Sequence, residues 1–164
     1  MLEVPQALLD ERRAKGIDLF DEMWEGELHM VPAPSLDHQR LSGDLFVVLA
    51  PLAKTAGLLP FFETGLYRAD HDWRVPDQLY ARPDQVSARG AEGGIPLVVE
   101  IRSPGDETDA KRPWYAALGV RQVLVLDPRP RSADADRIEV LGVDLETVDG
   151  PRLRLSWSGG TAEI

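Results

Sequence analysis

Apolar residues recur at helical spacing through the second quarter of the chain, where Leu41, Leu45, Val48, Leu49 and Leu52 fall on one face. Ser35 stands ahead of this run as an N-cap and Gly57 behind it, so the pattern predicts one long helix from Ser35 to Ala56. Before it, residues 6–15 read as a short polar helix and residues 18–25 as a loop. A strand follows over residues 27–31, stopped by Pro32 and Pro34. After the long helix the pattern changes to short strand-like pieces at residues 60–63, 66–68, 73–75 and 77–81. A glycine-rich loop, Gly90 to Gly94, separates these from an apolar run over residues 97–102. Ser103-Pro104-Gly105 breaks that run, and a short helix ends near Leu118-Gly119. Residues 123–126 then form a fully apolar strand bounded by Asp127-Pro128. Residues 129–136 read as a loop, and strands over residues 137–143 and 152–157 read as a closing hairpin.

The strand, helix and strand between Leu97 and Leu126 make a parallel crossover unit. The expected architecture is therefore α/β, a mixed and partly parallel central sheet flanked by helices, in a single domain over residues 1–164. Composition narrows the chemistry. No Cys is present, which removes disulfides, thiolate zinc sites and Cys nucleophiles. That suits a reducing compartment, and Met1-Leu2-Glu3-Val4-Pro5 lacks the basic-then-apolar order of a leader, so the expected location is cytoplasmic. No apolar stretch is long enough to span a bilayer, and no membrane partner is expected. The net charge of −10 argues against broad, non-specific nucleic-acid binding, which depends on cations neutralising phosphates. It leaves room for a local basic rim, because Arg68, Arg74, Arg82, Arg102, Lys111 and Arg112 gather in one segment.

The same segment holds two carboxylates, Asp77 after Pro76 and Glu100 inside Leu97-Val98-Val99-Glu100-Ile101. A carboxylate within so apolar a strand needs a cation or several hydrogen bonds. If the two strands lie side by side, both carboxylates converge on one divalent metal. Other readings stand beside this one. Asp77 fits a Pro-Asp turn, and Glu100 fits an ion pair with a nearby arginine. Lys111 shares a helix face with Trp114, Tyr115 and Leu118, where it either snorkels or meets a buried carboxylate. Pro113 is tolerated only in a first turn, which moves the expected helix start to Lys111 or Arg112. His38 lies on the apolar face of the long helix, as a core histidine or a site residue, and Glu27 is expected either to partner it or to reach the site itself. Glu63 is a further acidic candidate, and Ser103 reads as a helix cap followed by Pro104 and Asp106. No phosphate-binding glycine loop, Gly-x-Ser-x-Gly elbow, zinc helix or recognition helix is evident.

An ordered set of short pieces resembles the Uma-type family of restriction-endonuclease-like proteins. The set comprises Glu25-Gly26-Glu27-Leu28, Pro34-Ser35 with His38-Gln39-Arg40, and Val75-Pro76-Asp77. It continues with Leu97 to Ile101 and Ser103-Pro104, then Lys111, Tyr115 to Val120, and Val123 to Pro128. The resemblance covers residues 17–130 and implies the PD-(D/E)xK nuclease superfamily. It implies that Asp77, Glu100 and the Ile101 carbonyl hold Mg²⁺ or Mn²⁺, that Lys111 assists the attacking water, and that the substrate is DNA. His38, Glu27 and Tyr115 are then supporting residues. The superfamily lysine two residues after the glutamate is Arg102 here, suited to gripping a phosphate and unsuited to act as a base. The expected activity is metal-dependent phosphodiester hydrolysis, with a homodimer for cutting both strands. Two other classes remain: a binding or regulatory module on the same fold, and a hydrolase of a small phosphorylated molecule.

Overall fold

The structure is a computed structural model that describes residues 4–164. Met1, Leu2 and Glu3, part of the segment read as lacking a leader, lie outside the described residues. In chain order come α1 (Gln6–Ala14), β1 (Glu22–Trp24), β2 (Glu27–His29), α2 (Leu36–Thr55), β3 (Leu59–Phe62), β4 (Leu66–Ala69), β5 (Asp72–Arg74) and β6 (Gln78–Ala81). Then follow β7 (Ala91–Glu92), β8 (Leu97–Ile101), α3 (Thr108–Leu118), β9 (Gln122–Pro128), β10 (Arg131–Ala133), β11 (Arg137–Ile138), β12 (Val143–Val148), β13 (Arg152–Trp157) and β14 (Gly160–Glu163).

The central sheet has the order β10-β9-β8-β6-β3 and is mixed: β8 runs parallel to β9 across α3 and antiparallel to β6. Strand alternation sorts β8 onto two faces. Leu97, Val99 and Ile101 join Leu41, Leu45 and Leu49 of α2 in one core, while Val98 packs with Trp114 and Tyr115 of α3 in the other. Each fully buried leucine contributes about 1.5–3 kcal/mol. Glu100 follows the parity of Val98, which turns it toward α3. Pro60 is accommodated because β3 is an edge strand. A second sheet, β2-β1-β5-β4-β7, covers the α3 side, and a four-stranded antiparallel sheet, β11-β12-β13-β14, adds Ile138, Val143, Leu145, Leu153 and Leu155 to the α2 core.

The α/β architecture, the long helix and the crossover follow the sequence reading, and several details differ. Ser35 caps α2 as expected, its hydroxyl accepting from the His38 amide at 3.2 Å. Residues 18–25 contain strand β1, joined to β2 by the two-residue turn Glu25-Gly26, both at positive φ (52° and 94°), the geometry that suits a tight hairpin. Residues 129–136 are not only a loop: β10 pairs with the end of β9. Val143 begins a strand because Gly142, in the left-handed region (φ 63°), ends a short 3₁₀ turn just before it. The helix α3 begins at Thr108, ahead of the expected start, with Pro113 in its interior. The Lys111 amide already makes a helical bond to the Glu107 carbonyl at 3.1 Å, so the proline removes one later bond. Burial of Trp114 and Tyr115 on the same helix offsets that loss. Ser103 is not the cap. Asp106 closes the turn instead, accepting from the Ser103 amide at 2.5 Å and the Thr108 amide at 3.2 Å.

Candidate active site

The register between β6 and β8 sets Gln78 opposite Val99, and one step further it sets Asp77 opposite Glu100. The two carboxylates share the floor of a cleft of about 490 Å³. Asp77 Oδ2 accepts from the Ile101 amide at 2.6 Å, which locks its carboxylate against the end of β8. His38 Nε2 lies 3.1 Å from Asp77 Oδ1. Burial lowers the His38 pKa, but the hydrogen bond and charge of Asp77, with the Ile101 carbonyl, outweigh it and raise the pKa above its ordinary value. His38 Nδ1 is buried without a partner.

Glu100 is buried, and from α3 both Tyr115 (2.5 Å) and Lys111 (3.3 Å) reach the same oxygen, Oε1. Burial pushes the Glu100 pKa well above the usual carboxylate range. Lys111 and Tyr115 pull it back while the charges of Asp77 and Glu22 add to the rise. Lys111 responds the other way. Burial would lower its pKa, yet Glu100 and Glu22 raise it, so its ammonium stays charged. Burial and the neighbouring acids push the Tyr115 phenol well up, which keeps it a proton donor.

Glu22 is the residue sequence reading missed. It is 1 % exposed, and its Oε1 lies 2.7 Å from Lys111 Nζ, nearer than Glu100. It also accepts from the Val75 amide at 2.9 Å and from the Trp24 indole at 2.8 Å. The hairpin explains the exchange of roles with Glu27. Glu22 pairs with His29 at the hairpin base, whereas Glu27 pairs with Trp24 beside the turn and is exposed. Glu63 lines the cleft from the end of β3, held by Gln39 at 3.1 Å. Arg102 does not line the cleft. Its guanidinium is forked onto Asp109 at 2.7 and 3.0 Å. Thus Asp77, Glu100, Ile101, Lys111, Tyr115 and His38 come together, and Glu27 and Arg102 stay outside.

The described residues hold no cage of three or more His, Cys, Asp or Glu side chains. Two adjacent carboxylates and a carbonyl form a donor set of another kind, the one that suits Mg²⁺, which takes one or two carboxylates and keeps several waters. The local charge also fits a cation: Glu22 and Glu100 share the ammonium of Lys111, and Asp77, beside His38, adds a third carboxylate. Among the described residues no helix is long and apolar enough to cross a membrane.

The mixed sheet with its carboxylate pair at the end of adjacent strands defines a restriction-endonuclease-like α/β fold. Over residues 17–153 the chain matches the family Uma2, described as "Putative restriction endonuclease", and it belongs to that family. A solved structure of a "putative nuclease belonging to DUF820" from Anabaena variabilis has the same fold. Its TM-score is 0.55 at 15% identity, covering 88% of this chain and 75% of that one. No curated protein matches the chain.

Proposed function

We propose that this chain is a metal-dependent nuclease that hydrolyses phosphodiester bonds in DNA. One observation carries the reading: adjacent strands bring Asp77 and Glu100 together at the floor of a cleft, with the Lys111 ammonium beside them. Asp77, Glu100 and the Ile101 carbonyl are the residues that would hold Mg²⁺ or Mn²⁺. When bound, the ion supplies Lewis-acid stabilisation of the phosphoryl group and activates water. Lys111 is a fixed positive charge, aimed by Glu22 and Glu100, for the negative charge that grows on the phosphate oxygens. Paired with two buried carboxylates, it serves as an electrostatic partner. Tyr115 donates to Glu100 and fixes its rotamer, while His38 and the Ile101 amide hold the two oxygens of Asp77. One copy suffices to nick a strand, and cutting both strands of a duplex at one place takes two.

The test is cleavage of supercoiled plasmid and of single-stranded DNA with Mg²⁺ or Mn²⁺, for wild type, Asp77→Ala and Glu100→Ala. The reading requires metal-dependent cleavage that both substitutions abolish. Activity surviving in both, or none in wild type with either metal, sinks it.

A further inference from the structure

We propose that the cleft takes an unpaired nucleotide, so that the substrate is single-stranded or locally unpaired DNA. This rests on the nuclease reading above and deepens it. Six carboxylates line the cleft (Glu22, Glu63, Asp77, Glu100, Asp106 and Glu107) against one lysine. A duplex is normally gripped through many phosphates, each neutralised by Lys or Arg. The basic rim that the sequence suggests does not form. Arg68 and Arg74 are bound to Asp72, Arg82 lies 3.4 Å from Asp84, Arg102 is forked onto Asp109, and Arg112 is bound to Asp134. Each would have to leave an acidic partner before it could hold a phosphate.

One wall of the cleft is apolar. Phe20, Met30, Val31, Pro32 and Pro34 line it, with Met30 62% exposed and Val31 43%. Phosphate gains nothing from such a wall, but the face of a base does, by stacking and dispersion. In a duplex the base faces are covered by their neighbours. An unpaired nucleotide turns its base onto Phe20 and Met30 and lowers its phosphate to the buried floor at Glu100. It does so without laying a continuous backbone along an acidic rim. The acidic and apolar walls thus select the same ligand.

The experiment compares a short single-stranded oligonucleotide, the same sequence as a blunt duplex, and that duplex with a single-stranded flap. Cleavage is followed in Mn²⁺ and binding is followed across a salt series. Single-stranded and flap substrates are expected to be cleaved at least about tenfold more efficiently than the blunt duplex. The log–log salt slope of binding should be shallow, about −1 to −2, in place of the steep slope of a multi-phosphate grip. Phe20→Ala and Met30→Ser should each raise KM for single-stranded DNA about tenfold with kcat within about twofold. Met30 is exposed, so its substitution tests the wall without threatening the fold. Equal cleavage of the blunt duplex, a steep slope, or unchanged KM in both variants overturns the inference. If nothing is cleaved the nuclease reading falls, and binding alone decides here. A single-strand preference lost in Met30→Ser supports the inference, and no preference overturns it.

Discussion

Two buried clusters of charge meet α3, one through Trp114 and the other through Lys111 and Tyr115. Around Asp72 the charges balance. Arg74 donates to its carboxylate at 2.9 Å, Arg68 pairs with it and with Glu25 at 3.0 Å, and the Trp114 indole donates at 3.0 Å. The Arg74 guanidinium lies 4.3 Å from the Trp24 ring centre and 4.5 Å from that of Trp114, closed in by aromatic faces. Around Glu100 two carboxylates, Glu100 and Glu22, share one ammonium, Asp77 adds a third carboxylate held by His38, and the group opens onto a cleft. Burial and strong pairing are common to both. An unbalanced charge that faces a cleft belongs to one alone, and it separates a site from a structural ion pair.

Neutral, nearly isosteric substitutions should pull the two clusters apart. Glu100→Gln should reduce cleavage at least about a hundredfold. It should leave stability to urea unchanged or higher, because it relieves repulsion from Asp77 and Glu22. Asp72→Asn should cost about 3 kcal/mol in the same denaturation, because it leaves the buried Arg74 charge without its counter-ion, and it should leave Mg²⁺ affinity by calorimetry unaltered. Equal losses of stability in both variants would break the comparison.

The Asp72 effect carries a sign in pH. Burial alone would raise its pKa, but the hydrogen bonds from Trp114 and Arg74 hold it below the ordinary value. Its contribution is therefore complete above the unfolded-state pKa, about 3.9, and is lost as pH falls through the lower folded value. The stability gap between wild type and Asp72→Asn should close over that acid range and stay open at neutral pH.

A smaller effect is expected at Glu22. Glu22→Gln keeps the size of the side chain but weakens its hold on Lys111, so kcat should fall about tenfold with KM nearly unchanged. A matching fall in metal affinity would instead make Glu22 a ligand. The smallest effect belongs to Arg102, which points away from the cleft onto Asp109. Arg102→Ala should leave cleavage within about twofold of wild type, since an exposed ion pair carries little. A large rise in KM would return Arg102 to the phosphate contact its sequence position suggests.

These comparisons turn on residues that differed in how visible they were in the sequence. Glu100 was legible because a charge within a wholly apolar strand breaks the pattern, and strand parity then aims it at α3. Lys111 and Tyr115 were legible from helix spacing, which the interior Pro113 did not destroy. His38 followed from the apolar face of α2. Glu22 was hidden because β1 has only three residues, too few to show alternation, and its turn is Glu-Gly and not the stronger Asn-Gly or Asp-Gly. β10 is equally short. The basic rim failed for another reason. Sequence clustering of arginines says nothing of which acids the fold sets beside them.

The Trp24 indole gives the protein an optical reporter of its own. Its N–H is bonded to Glu22 at 2.8 Å, and Glu22 is bonded to Lys111, so a change of charge at the cleft floor alters the field across a fluorophore. Trp114 and Trp73 are anchored nearby, to Asp72 and to the Asp21 carbonyl at 2.9 Å, leaving Trp157 as the distant one of the four. A cation or a phosphate arriving beside Lys111 should thus change the emission of the unlabelled chain.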